Sequence, residues 1–203
     1  MPSTTFFNLP PAKREKLLGA ARQEFVRVPY AQASINKIIR AAQIPRGSFY
    51  MYFADKEDLF IYILAGYIDA LLSLMARLLE EAEGDLFCAF QMLYDQAWRD
   101  QPPDALEDFR RILANNKGME QGALLRSMGM EQRVERLIPL IDQSRLSLRR
   151  PEDLRDMLHI LIAVTAPAVC RADFSWSDQE GSAHYRAMLD ILKRGMQAPV
   201  QAN

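Results

Sequence analysis

The chain has 203 residues, of which 49% are hydrophobic and 25% charged, the profile of a globular protein with a real core and not of a disordered tail. Its net charge of −1 excludes a uniformly basic nucleic-acid binder, but the average hides a split. Residues 1–56 hold nine cations against three anions, a balance of +6, and the remainder holds 16 against 23, a balance of −7. A cationic N-terminal quarter on an acidic body points to a local surface that faces a polyanion.

Met1 to Asn8 carries no apolar signal core. The longest weakly charged apolar stretch, Met157 to Cys170, is too short to span a bilayer, so no membrane association is expected. Cys88 and Cys170 lie far apart and, with His159 and His184, make no metal pattern. The reading is a cytoplasmic protein with reduced thiols and no cofactor or metal.

Helical periodicity dominates. Leu17, Leu18, Ala21 and Phe25 share one face of a first helix that opens on Pro10-Pro11, where a missing N–H is tolerated. The chain breaks near Pro29. Ser34 then caps a second helix with Ile35, Ile38, Ile39 and Ala42 on one side and Asn36, Lys37 and Arg40 on the other. After Gln43-Ile44-Pro45 comes a very short helix, 46–53. Asp55 caps a long one that runs through Phe60, Ile63, Tyr67, Leu74 and Leu78 to Gly84.

Further helices are expected over 85–99, 104–116, 131–148 with a kink at Pro139, 151–172, and from a capping box Ser177-x-x-Glu180 to Met196. No periodicity decides 118–129. The expected fold class is all-α: a three-helix helix-turn-helix head in residues 1–56 joined to a larger helical bundle in residues 57–203.

Two short helices joined by a tight turn inside a basic segment are the signature of a helix-turn-helix reader of double-stranded DNA. The second must be anchored by one face and expose small or hydrogen-bonding residues on the other. At 100° per residue Phe49 and Phe53 fall together and face inward, with Gly47 and Met51 opposite and Ser48 and Tyr50 flanking them. Gly47 lets a backbone approach closely, Arg46 has the reach for a guanine edge, and Lys56 is placed for a phosphate.

The run Ile38 to Leu59, with its core Gly47-Ser48-Phe49-Tyr50-x-Tyr52-Phe53-x-x-Lys56-Glu57-x-Leu59, resembles the DNA-binding signature of the TetR/AcrR transcriptional regulators, and Leu17, Ala20, Ala21 and Phe25 agree with it. The resemblance covers about residues 12–64. It implies a three-helix DNA-binding head, a larger helical body that binds a small effector, and a homodimer formed by the last two long helices; the reading that follows is a repressor, not an enzyme, released from a palindromic operator by an effector bound in the body. Carried over by position, it implies that Asn36, Arg46, Gly47, Ser48 and Tyr50 approach bases, while Ser34, Lys37, Tyr52 and Lys56 touch the DNA backbone. The chain departs from the family pattern at Gln43, Pro45 and Ile39.

In the body, Phe90, Tyr94, Trp98, Phe109, Met119, Met128 and Trp176 are candidate lining residues of an apolar effector pocket, with ordinary core packing as the alternative. Leu158, Leu161, Ile162, Thr165 and Val169 form one apolar stripe, and Tyr185, Met188, Leu189, Leu192 and Met196 another. Paired across a two-fold axis they would make a four-helix homodimer interface. Two other readings remain. One is a constitutive DNA binder without a pocket; the other is a helical-fold enzyme, against which stands the lack of a nucleophile elbow or phosphate loop.

Overall fold

A computed structural model describes residues 2–98, 104–116, 129–170 and 178–198. The described residues are helical and contain no strand, only an isolated bridge between Leu146 and Gln197. The chain forms two compact units, residues 1–69 with 104–130, and residues 70–103 with 131–203. These units divide the chain elsewhere than at the expected boundary between residues 56 and 57.

The first unit opens on a helix absent from the sequence reading, α1 (Thr4–Phe7), N-capped by Ser3. Helix α2 (Pro11–Arg27) starts with proline at its first position, as expected. Its buried Leu17, Ala20, Ala21 and Phe25 pack on α3 (Ile35–Ala42), whose Ile38, Ile39 and Ala42 face back. Helix α4 (Arg46–Tyr52) buries Phe49 fully, and Phe53 after it is 1% exposed. Helix α5 (Lys56–Glu81) begins where Asp55 accepts the Asp58 N–H at 2.8 Å. Phe60 of α5 lies 4.9 Å from the Phe25 ring. Each such buried aromatic contributes about 1.5–3 kcal/mol by leaving water.

Helix α7 (Asp104–Asn115) belongs to this same unit and packs on α2. Its end is tied to backbone that a neighbouring helix would otherwise leave open. Asn115 Nδ2 donates to Val26 O at 2.9 Å, and Asn116 Oδ1 accepts the Tyr30 N–H at 2.8 Å. Tyr67 of α5 donates its hydroxyl to Asp108 at 3.0 Å; burial, with the Asp108 carboxylate beside it, holds that phenol well above its ordinary range.

In the second unit α5 contributes Leu74, Met75, Leu78 and Leu79, and the helix closes at Gly84, whose φ is +77°. A Cβ there would meet Asp142 N at 2.7 Å, and Gly84 O accepts that N–H at 3.0 Å, so backbone approaches backbone where only glycine fits. Asp85 caps α6 (Leu86–Ala97) by accepting the Cys88 N–H.

The helix expected over 131–148 is corrected by the structure. Only α8 (Met130–Val134) is α-helical; Glu135–Leu140 and Gln143–Arg145 are 3-10 turns. Pro139 cannot donate to the i−4 carbonyl, so the segment tightens instead of kinking. Helices α9 (Asp153–Cys170) and α10 (Asp178–Met196) pack on each other and on α6. The Tyr185 ring stacks on Tyr94 at 4.2 Å, and its hydroxyl shares a 3.0 Å hydrogen bond with Thr165 Oγ1.

Helix α5 holds a longer weakly charged apolar stretch than residues 157–170. By length and composition it could cross a membrane, and 44% of its most apolar 18 residues is buried inside the protein.

Candidate nucleic-acid interface

Ser34 opens α3, but its side chain makes no cap. The buried Glu24 carboxylate accepts the Ser34 N–H at 3.1 Å and is itself gripped by Arg27, whose Nε donates to it at 3.1 Å. Burial pushes the Glu24 carboxyl up. The Arg27 and Ser34 hydrogen bonds and the charges of Arg27 and Lys37 outweigh it, and hold the group below its ordinary 4.5. Asn36 and Lys37 stand exposed on the outer side of α3, where the pattern puts them.

The turn into α4 is left-handed at Gln43, with φ 57° and ψ 43°. The Ile44 N–H reaches back to Ile39 O at 3.0 Å and the Gln43 N–H to Arg40 O at 3.1 Å, a closing pair that usually employs glycine. Lys16 donates to the Gln43 side-chain oxygen and ties the turn to α2. Pro45 precedes α4 with φ −63°, leaving Arg46 as its first residue.

Arg46 is exposed, and its Nη1 donates to Asn36 Oδ1 at 3.0 Å, so side chains of α3 and α4 meet at the surface. Gly47 is exposed too, and a Cβ built on it would meet nothing within 4 Å. Internal packing gives no reason for glycine at this helical position, where alanine would be favoured by about 1 kcal/mol. Tyr50 is 50% exposed and packs edge-on against Phe49 at 5.2 Å. Ser48 and Tyr52 are half-buried. Met51, 59% exposed, joins Gly47 and Tyr50 on the outer side and was missing from the candidate residues. It is the most exposed large apolar side chain of the head, and its place opposite Phe49 was the signal for it.

Lys56 is placed differently from its expected role. Its Nζ donates to Tyr30 O at 2.7 Å and Ala33 O at 3.1 Å, and lies 4.5 Å over the Tyr30 ring. The ammonium therefore closes the 3-10 turn Tyr30–Gln32 that leads into α3. Glu24 holds an N–H of this loop and Lys56 its carbonyls, two opposite charges pinning one connection. Neither role is visible in local spacing.

Four of the seven body residues proposed for a pocket lie among the described residues. Phe90 and Tyr94 are packed in the second unit at 2% and 1% exposure, with Trp98 beside Tyr94, while Phe109 is buried in the first unit. Met119, Met128 and Trp176 lie outside the described residues, as does the Ser177 cap. An open cavity of about 590 Å³ lies elsewhere in the second unit, between Ile138, Leu148, Leu154, Arg149, Arg150 and Arg155.

The expected dimer stripes are exposed only in part. Leu158, Leu161, Thr165, Val169, Tyr185 and Leu189 are buried within the chain itself, at 5% exposure or less. Ile162, Met188, Leu192 and Met196 are half-buried. The apolar residues left outside are one step round each helix, Ile160 with Ala163 and Ala166 on α9, and Ile191 with Ala183 and Ala187 on α10.

A left-handed turn between two short helices, the second anchored by two phenyl rings and followed by a helical bundle, is the layout of a helix-turn-helix transcriptional regulator. Comparison with known proteins gives the family. The model described as bacterial regulatory proteins, tetR family, matches residues 17–63, and that of the tetracyclin repressor-like C-terminal domain matches residues 85–196. The chain belongs to the TetR family.

The transcriptional regulator AcuR of Cereibacter sphaeroides is 30% identical over 113 residues, 54% of this chain and 49% of that one. The HTH-type transcriptional repressor NemR of Escherichia coli is 29% identical over 72 residues, 36% of each. The chain thus spans about half the length of the first and about a third of the second. Among solved structures, a TetR-family regulator from Mesorhizobium loti shares the fold with a TM-score of 0.63 at 16% identity, over 92% of this chain and 98% of that one. Reduced E. coli NemR does so with a TM-score of 0.52 at 17% identity, over 94% and 100%.

Proposed function

We propose that the protein is a homodimeric repressor that reads a palindromic operator with α4 and leaves it when a small-molecule effector binds the body. The observation that carries the reading is the outer side of α4. Gly47, Tyr50 and Met51 lie exposed there, Arg46 is held beside Asn36, and the opposite face is locked into the core by Phe49 and Phe53. In this reading Arg46, Asn36, Gly47, Ser48, Tyr50 and Met51 approach base edges in the major groove. Ser34, Lys37 and Tyr52 lie along phosphates, and Lys56 serves by fixing the loop that carries Ser34.

The second copy packs against the exposed faces of α9 and α10, centred on Ile160 and Ile191. An isologous contact there sets two reading helices at half-sites about 34–36 Å apart or a multiple of that. The effector, an apolar molecule, acts by preferring the state whose half-site spacing does not fit the operator, with α5 shared between the two units as the connecting element.

Selection of bound duplexes from a random pool, repeated with a metabolite pool added, tests all three parts. The expected result is one inverted repeat, lost in the presence of a released fraction of that pool. Recovery of no preferred sequence would refute the reading. The tight packing of Phe90 and Tyr94 favours a second reading, a constitutive binder without an effector. Retention of the repeat against every metabolite fraction would support it.

A further inference from the structure

The residues before the family match at 17 contact the reading helix directly. Ser3 N–H donates to Tyr52 O at 2.9 Å, and Ser3 Oγ donates to Met51 O at 2.5 Å. Helix α4 has seven residues, and Phe53 after it is extended, with φ −130°, so no left-handed residue closes its end. Its Phe49 carbonyl is taken by the Phe53 N–H at 2.9 Å. The carbonyls of Met51 and Tyr52 have Ser3 as their donor. A helix this short does not hold its last turn by propensity.

The clamp is itself anchored. Ser3 Oγ also accepts the Phe6 N–H at 3.3 Å, and the Phe6 ring is fully buried, 4.9 Å from Phe53 and 5.4 Å from Tyr62. It also lies 6.4 Å from Tyr52. One four-residue helix therefore grips the last turn of α4 by two polar bonds and by the ring next to it. The roll of that turn sets where Tyr50 and Met51 point.

We infer that Ser3 and Phe6 are positioning residues for operator recognition: they hold the last turn of α4 in the orientation that fits bases, without touching DNA themselves. The inference rests on α4 being the reading helix. The attraction of phosphates to cations outside that turn, Lys37 among them, does not depend on that orientation, so the clamp governs discrimination between sequences and not the electrostatic grip.

The test uses the full chain, the duplex selected by the wild-type protein and a random duplex of equal length. Ser3→Ala is expected to weaken binding to the selected duplex about fivefold and to leave the random duplex and the salt slope unchanged. Ser3→Thr, which keeps both donors, restores the wild-type ratio. Phe6→Ala gives a larger loss of the same kind, with faster amide exchange in residues 49–53 as the readout should its affinity reflect partial unfolding. Equal loss on both duplexes, or wild-type discrimination in Ser3→Ala and Phe6→Ala, overturns the clamp while leaving the operator reading intact. A wild-type protein that selects no sequence removes the reading and the clamp with it.

Discussion

Arg46 reaches across from α4 to donate to Asn36 of α3 at 3.0 Å, so each side chain orders the other before any duplex arrives. Ordering in advance reduces the rotamer freedom lost on binding. Arg46→Ala is expected to cost about 1–3 kcal/mol on the selected duplex and to relax one base position. A double-mutant cycle with Asn36→Ala, followed by fluorescence anisotropy, should return a coupling of about 0.5–1 kcal/mol. Additive losses would mean that the surface bond does no preparatory work.

Lys56 and Lys37 are expected to separate in their behaviour. Lys56 closes on the carbonyls of Tyr30 and Ala33. Lys56→Met should lower unfolding stability by about 1–3 kcal/mol, the scale of charged hydrogen bonds to backbone, with the salt slope of DNA binding unchanged. Lys37→Ala, at an exposed position, should instead leave stability alone and lower that slope by about one. Urea titration and binding isotherms across ionic strength distinguish the two.

Gln43 adopts a left-handed backbone, which costs a residue with a Cβ about 1–2 kcal/mol. Gln43→Gly should therefore raise the urea midpoint, less the small worth of the Lys16 contact. Gln43→Val, branched at Cβ, should lower it by more than 1 kcal/mol of stability. A glycine variant less stable than the wild type would show the Lys16 bond to be the larger effect.

Glu24 is ionised in the folded chain below its ordinary 4.5, so its contribution is complete above that value and fades as the pH falls through the folded value. Glu24→Gln should destabilise the protein most at neutral pH, by about 1.5–3 kcal/mol, with the gap to wild type narrowing under acid. Denaturation midpoints measured from pH 7 down to about pH 3.5 follow that convergence. A gap independent of pH would assign the cost to shape and not to charge.

Ile191 is 61% exposed on α10 and Leu189, two residues away, is 5% exposed. Under the proposed assembly Ile191→Glu gives a folded monomer in sedimentation velocity. Leu189→Ala leaves the dimer face untouched and lowers stability by about 2–5 kcal/mol. A dimer that survives Ile191→Glu would place the interface elsewhere.

Local periodicity made most of the head legible. The isoleucines of α3, the Phe49–Phe53 pair and the Asp55 cap lie where spacing puts them, because each depends on neighbours within a turn or two. The last two helices were harder. On α9 a stripe of large residues and a stripe holding Ile160, Ala163 and Ala166 both repeat at helical spacing, and only packing decides that the large one turns inward. Lys56 read as a cation for a phosphate because its carbonyl partners lie 23 to 26 residues away. Ser3 meets Met51 across 48 residues, a distance no pattern encodes.

Asn115 and Asn116 fasten α7 to Val26 and Tyr30, so the DNA-reading part is assembled from two stretches separated by more than thirty residues of chain. It cannot be lifted out as one linear fragment. A chimaera that transplants residues 1–56 onto a foreign sensor leaves behind the strap on its connecting loop; a portable version needs three crossover points, one on either side of residues 70–103 and one after residue 130, to carry that strap along.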